Sequence, residues 1–167
     1  MKNIGVVLKT FFPIKHQVLV LDRNLGKLFL VSKNQNNLLR LCNGVVFEYN
    51  LESENNKNLI REVDIIKFPN VGENILFFHH ILELYNFFIP IGFTYCQLFD
   101  SLYSIYDLLE QEKITKQEQK LFLYKFFSLM GMCPEIALQD EKFLEKWINT
   151  CINSHPNVNL LKTRIFN

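Results

Sequence analysis

Three short apolar runs at the start of the chain, residues 5–10, 18–22 and 25–33, restrict the fold more than any other feature. Each is rich in Val and Leu and too short for a helix of ordinary length, so they read as β-strands. The second and third are separated by Asp22-Arg-Asn-Leu-Gly26, whose Asn and Gly tolerate the left-handed backbone of a tight turn, which predicts a hairpin. Strand side chains alternate with period two. In the third run, Lys27, Phe29 and Val31 therefore share one face and Leu28, Leu30 and Ser32 the other. Both faces are largely apolar, so the strand is expected to be covered on both sides.

Two further strand patterns follow, at 44–49 and 58–68, separated by the polar stretch 50–57. Five short strands within 70 residues fit an OB-fold barrel better than a sandwich, which needs more strands. Residues 34–43 then form the connection from the third strand to the fourth, with Leu38, Leu39 and Leu41 expected to bury it under the barrel. Pro69-Asn-Val-Gly-Glu73 ends the β pattern, and beyond it the apolar period becomes about 3.6 residues. The expected organisation is α+β: an N-terminal five-stranded OB-fold β-barrel over residues 1–69 and an α-helical domain over 70–167.

Helices are predicted over 73–88, 95–111 and from Thr115 onward, with a fourth after Gln139 or Asp140 that buries Phe143, Leu144, Trp147, Ile148 and Cys151. Thr115-Lys-Gln-Glu118 has the spacing of a capping box, and Gly131 sits where a left-handed C′ residue belongs. The most apolar stretch, 75–95, carries His79, His80, Glu83, Asn86 and Pro90 and is a poor bilayer span, so no membrane association is expected. Adjacent helical residues project about 100° apart, which places one of His79 and His80 in the core and the other at the surface.

The net charge of +1 conceals an asymmetry: residues 1–41 hold seven cations against Asp22 alone, a net +6, which leaves −5 on the rest. That suits a basic binding face on the N-terminal part. The four cysteines, at 42, 96, 133 and 151, form no C-x-x-C pair and have no histidines at ligand spacing, so neither a disulfide framework nor a metal site is indicated. Free thiols and the absence of a signal-peptide pattern after Met1 lead to the expectation of a cytoplasmic protein. There is no P-loop, no G-x-G-x-x-G after a strand and no local nucleophile signature, so no enzymatic activity and no cofactor is expected. A cysteine-dependent hydrolase is a third reading, which full function after replacement of all four cysteines would remove.

Gly5, Val7, Leu8, Lys9 and Thr10, followed by Gly26, Lys27 and Leu28, resemble the G-x-V-L-K-T-like strand and the G-K-L hairpin of the RecO family of bacterial recombination mediators. Residues 120–136, which contain Gly131-Met-Cys-Pro134, are similar to that family's helix with an L-x-x-L-G-x-x-P-type stop. The resemblance implies a non-enzymatic DNA repair and recombination mediator. Such a protein binds single-stranded DNA, assists annealing or recombinase loading, and contacts the tail of the single-strand-binding protein and a RecR-like partner. It also implies where this chain departs. Cys133 stands without the cysteine pairs that hold zinc in many members, and residues 32–38 offer amides where the family carries a basic cluster. The expected DNA contacts are Lys9, Lys15, Arg23, Lys27, Lys33 and Arg40 at phosphates, with Phe12 stacking on a base. Phe11 and Tyr49 are further stacking candidates, while Phe29 and Phe47 are expected to fill the barrel. The alternative is a protein-interaction module that keeps the fold and has lost DNA binding.

Overall fold

The turn between Asp22 and Gly26 sets the first hairpin. In the computed structural model, which describes residues 2–55, 57–132, 141–156 and 158–163, Asp22 pairs with Gly26 and Gly26 has φ +75°. Only glycine adopts that value freely. Asp22 Oδ1 accepts the backbone N–H groups of Asn24 and Leu25, both at 2.8 Å, and so holds the turn from inside.

Five strands, β1 (Asn3–Thr10), β2 (Gln17–Asp22), β3 (Gly26–Val31), β4 (Val46–Glu54) and β5 (Lys57–Lys67), close into a barrel in the order β1-β2-β3-β5-β4. Every pairing is antiparallel except β3 with β5, which are parallel and in register at Val31 and Leu59. Alternation fills the interior with Val7, Val18, Val20, Leu28, Leu30 and Phe47, among others. The polar stretch between the fourth and fifth strands is not a loop. Its residues extend the β4–β5 hairpin out to the Glu54–Lys57 pair, because cross-strand hydrogen bonding needs no apolar side chains on a solvated ribbon. Glu62, at φ +36°, is the extra residue opposite the Tyr49–Asn50 step, a β-bulge that bends β5.

The connection from β3 to β4 contains one helix, α1 (Gln35–Leu39), capped by Asn34, whose side chain accepts from the Asn36 N–H. Leu38 and Leu41 enter the barrel core, but Leu39 is 65% exposed. One helical step separates Leu39 from Leu38, which turns it away from the barrel.

The chain divides into two compact units. The first joins the barrel, through Asn70, to the later segment Ile89–Tyr103; the second comprises Val71–Phe88 and everything from Ser104 on. The helix expected over 95–111 is accordingly two, α3 (Cys96–Tyr103) and α4 (Ile105–Leu109), which belong to different units. In the second unit, a 3₁₀ turn over Gly72–Asn74 leads into α2 (Ile75–Phe88), followed by α4, α5 (Lys116–Leu129) and α6 (Glu141–Asn153). Aromatic pairs hold its core, with Tyr85 4.5 Å from Phe126 and Phe78 5.9 Å from Tyr106 between ring centroids. Buried Asn74 links two loops: its Nδ2 donates to Gln111 O at 3.2 Å and its Oδ1 accepts the Ile114 N–H at 2.8 Å. His80 is buried and its Nδ1 donates to Thr163 O across 2.7 Å, while His79 is exposed. Along α6, Leu144, Ile148 and Cys151 are buried but Phe143 is 39% exposed, because it lies about 100° off their stripe.

The caps of α5 are both formed. Thr115 and Glu118 make the reciprocal capping box. At the other end Gly131, at φ +74°, donates to Ser128 O and Met132 donates to Phe127 O, the paired bonds of a Schellman motif. The Cys133-Pro134 part of the same sequence signature lies outside the described residues. Thr115→Ala is expected to lower stability by about 1 kcal/mol, read as a shift in the denaturation midpoint at unchanged slope. Among the described residues no helix is long and apolar enough to cross a membrane.

Candidate nucleic-acid interface

A groove of about 520 Å³ opens on the outer side of the barrel where the β1–β2 loop, β3 and the start of β5 come together. His16 and Gln17 supply one wall, Phe29 and Val31 the floor, and Lys57 and Asn58 the other wall. Phe29 points outward because it alternates with Leu28 and Leu30, which fill the interior. It is 37% exposed, so the expectation that it fills the barrel is corrected. Phe11 packs against it at 6.0 Å between ring centroids, and Lys9 Nζ lies 5.1 Å from the Phe11 ring. Aromatic faces, a cation and amide groups thus meet at one open surface.

The structure distributes the predicted contacts unevenly. Lys9 and Lys15 are exposed on β1 and on the loop that follows it. Phe12 is half-buried, packs against the interior cluster, and sits 5.9 Å from the His16 ring. Lys33 is held by Glu54 at 2.6 Å, which pulls the Glu54 carboxyl below its usual range through the hydrogen bond and the lysine's charge. Arg23 pairs with Asp100 at 3.2 Å, and Arg40 donates to Val63 O at 3.3 Å; neither lines the groove. Tyr49 is fully buried and donates to Asp22 Oδ2 at 2.7 Å, so it is not a stacking platform. Burial, with the Asp22 carboxylate beside it, raises its phenol far above the usual range.

Lys27 drops out of the phosphate-contact set for a definite reason. Its side chain is 6% exposed, its Nζ donates to Ile89 O at 2.7 Å, and its own carbonyl accepts the Gly92 N–H at 2.7 Å. Gly26, one residue earlier, lets the Phe93 carbonyl approach so closely that a Cβ would stand 2.1 Å from that oxygen. The Gly-Lys-Leu run is therefore a joint. Gly26 and Lys27 fasten segment 89–93 to the hairpin, while Leu28 fills the barrel. Burial lowers the Lys27 ammonium from 10.5 to about 8. Between these values the unfolded chain binds the proton that the folded chain has lost, so stability rises with pH across that window. Wild type is expected to gain stability relative to Lys27→Met between pH 8 and 10.5, checked by denaturant titration at both ends.

Lys57, Asn58 and Ile91 line the groove without having been singled out from the sequence. Lys57 carried a usable signal, a cation at the edge of a polar turn between two strands. Ile91 carried none, since it reaches the groove only through the joint at Gly26 and Lys27. Among the described residues no group of three or more His, Cys, Asp or Glu side chains could hold a metal ion. No protein-family model matches this chain, and no curated protein matches it.

Proposed function

We propose that the barrel is an OB-fold and that its outer groove binds single-stranded DNA without enzymatic chemistry, in the manner of a repair and recombination mediator. The strand order supports the first part: an OB-fold is a five-stranded Greek-key barrel, and here five strands close in the order β1-β2-β3-β5-β4 with a helix between the third and the fourth. In that fold the second and third strands, with the loops joining strands one to two and four to five, form the oligonucleotide-binding face. The observation that carries the reading is which elements line the groove. His16 comes from the first of those loops, Phe29 and Val31 from β3, and Lys57 is the first residue of β5, at the end of the β4–β5 hairpin. Bases stack on exposed aromatic rings for about 1–3 kcal/mol each while nearby cations follow the backbone. Phe29 and Phe11 are the stacking surfaces, and Lys9, Lys15 and Lys57 the phosphate contacts.

Fluorescence anisotropy with a labelled single-stranded oligonucleotide tests this. Phe29→Ala and Lys57→Ala are expected to weaken binding, and Arg23→Ala, outside the groove, to leave it unchanged. Equal loss in all three variants would contradict the groove assignment.

The second reading, an interaction module that has lost DNA binding, is favoured by the pairing of Arg23 with Asp100, Lys33 with Glu54 and Arg61 with Glu52. Those pairs thin the basic surface. A wild-type chain that binds no oligonucleotide at low salt, yet retains a single-strand-binding protein tail or a RecR-like partner in pull-down, is the result that reading requires.

A further inference from the structure

A second cleft, of about 630 Å³, adjoins the groove across the β3–β5 seam. Val31 and Asn58 line the groove; Lys33 and Leu59, next along the same two stretches of chain, line the cleft. Its far wall is α1 with its cap, the amide-rich run Asn34-Gln-Asn-Asn37. Asn34 is occupied, since its side-chain oxygen accepts the Asn36 N–H at 3.0 Å. The side-chain amides of Gln35, Asn36 and Asn37 have no hydrogen-bond partner among the described residues.

The cleft's charged groups are already engaged. Lys33 is paired to Glu54 at 2.6 Å, Arg61 to Glu52 at 2.9 Å, and Glu62 accepts from the Asn50 amide. A phosphate entering here would have to displace a carboxylate, and would meet carboxylates in return. Neutral groups with both donors and acceptors face no such competition. Each amide presents one N–H pair and one carbonyl, the complement of a base edge, and of adenine N6 and N7 in particular.

We infer that this cleft reads bases of the strand held in the groove, with Gln35, Asn36 and Asn37 favouring adenine. The inference rests on the groove reading above. It adds a sequence preference to a surface whose stacking and backbone contacts are indifferent to sequence.

The test compares the full chain with the triple variant Gln35→Ala/Asn36→Ala/Asn37→Ala on labelled oligo(dA) and oligo(dT) of about twelve nucleotides, a length within the range one OB-fold covers. Wild type is expected to prefer oligo(dA) by about tenfold. The triple variant should lose that preference while keeping its affinity for oligo(dT). Equal binding of the two oligomers by wild type, or a preference that survives in the triple variant, would overturn the base-reading cleft and leave the groove standing. Absence of binding to either oligomer would overturn both. Gln35 and Asn36 are exposed and Asn37 half-buried, so an unchanged melting temperature is the expected fold control.

Discussion

Gly26→Ala is expected to destabilise the first unit by on the order of 4 kcal/mol, a large share of the stability of a marginally stable chain. Two effects add. At φ +75° a Cβ is strained against its own backbone, and here it would also stand 2.1 Å from the Phe93 carbonyl oxygen and 2.9 Å from the Thr94 nitrogen. Those are backbone atoms, which cannot swing aside as a side-chain tip can. Relief requires withdrawing segment 89–93, and that breaks the Lys27–Ile89 and Gly92–Lys27 hydrogen bonds. Gly131→Ala is the matched control, since Gly131 has φ +74° with nothing within 4 Å of its Cβ position. It should cost about 1–2 kcal/mol, the backbone strain alone. Similar denaturation midpoints for the two variants would show that the close approach of Phe93 contributes little.

Asp22→Ala should cost about 3 kcal/mol or more. The carboxylate is 1% exposed and accepts from Asn24 N–H, Leu25 N–H and the Tyr49 hydroxyl, so its removal leaves three donors without an acceptor, one of them deep in the barrel. Tyr49→Phe removes only one donor and should cost about 1–3 kcal/mol. The double variant is expected to lose less than the sum of the two, because once the carboxylate is gone the tyrosine hydroxyl is a liability. Additive losses would mean that the Asp22–Tyr49 bond contributes nothing of its own.

These two positions show what the sequence could and could not disclose. Asp22 and Gly26 were legible as turn residues, and the first hairpin followed from them. Their tertiary partners, Tyr49 and Phe93, were not, because nothing local distinguishes a strand tyrosine bound for the interior from one at the surface. Lys27 misled for the same reason: a lysine in a basic hairpin reads as solvated, and only segment 89–93 makes it a buried donor. Phe29 misled in the opposite direction. Both faces of β3 are apolar in sequence, and the alternation cannot say which faces the barrel until Leu28 and Leu30 are seen to fill it. The caps of α5, by contrast, depend on residues within one turn and were readable in full. The groove combines two residues adjacent in sequence, His16 at the end of a loop and Gln17 at the start of β2, with Lys57 and Ile91, which only barrel closure and the joint bring to it.

The most direct test is the salt dependence of single-stranded DNA binding by the wild-type chain. Three phosphate contacts, at Lys9, Lys15 and Lys57, predict a slope of about −2 in log affinity against log salt, where six would give about −4. A slope near −2 that flattens in the Lys9→Ala/Lys15→Ala/Lys57→Ala variant is the result predicted here. No binding at low salt, or a slope unchanged by that triple replacement, would contradict it.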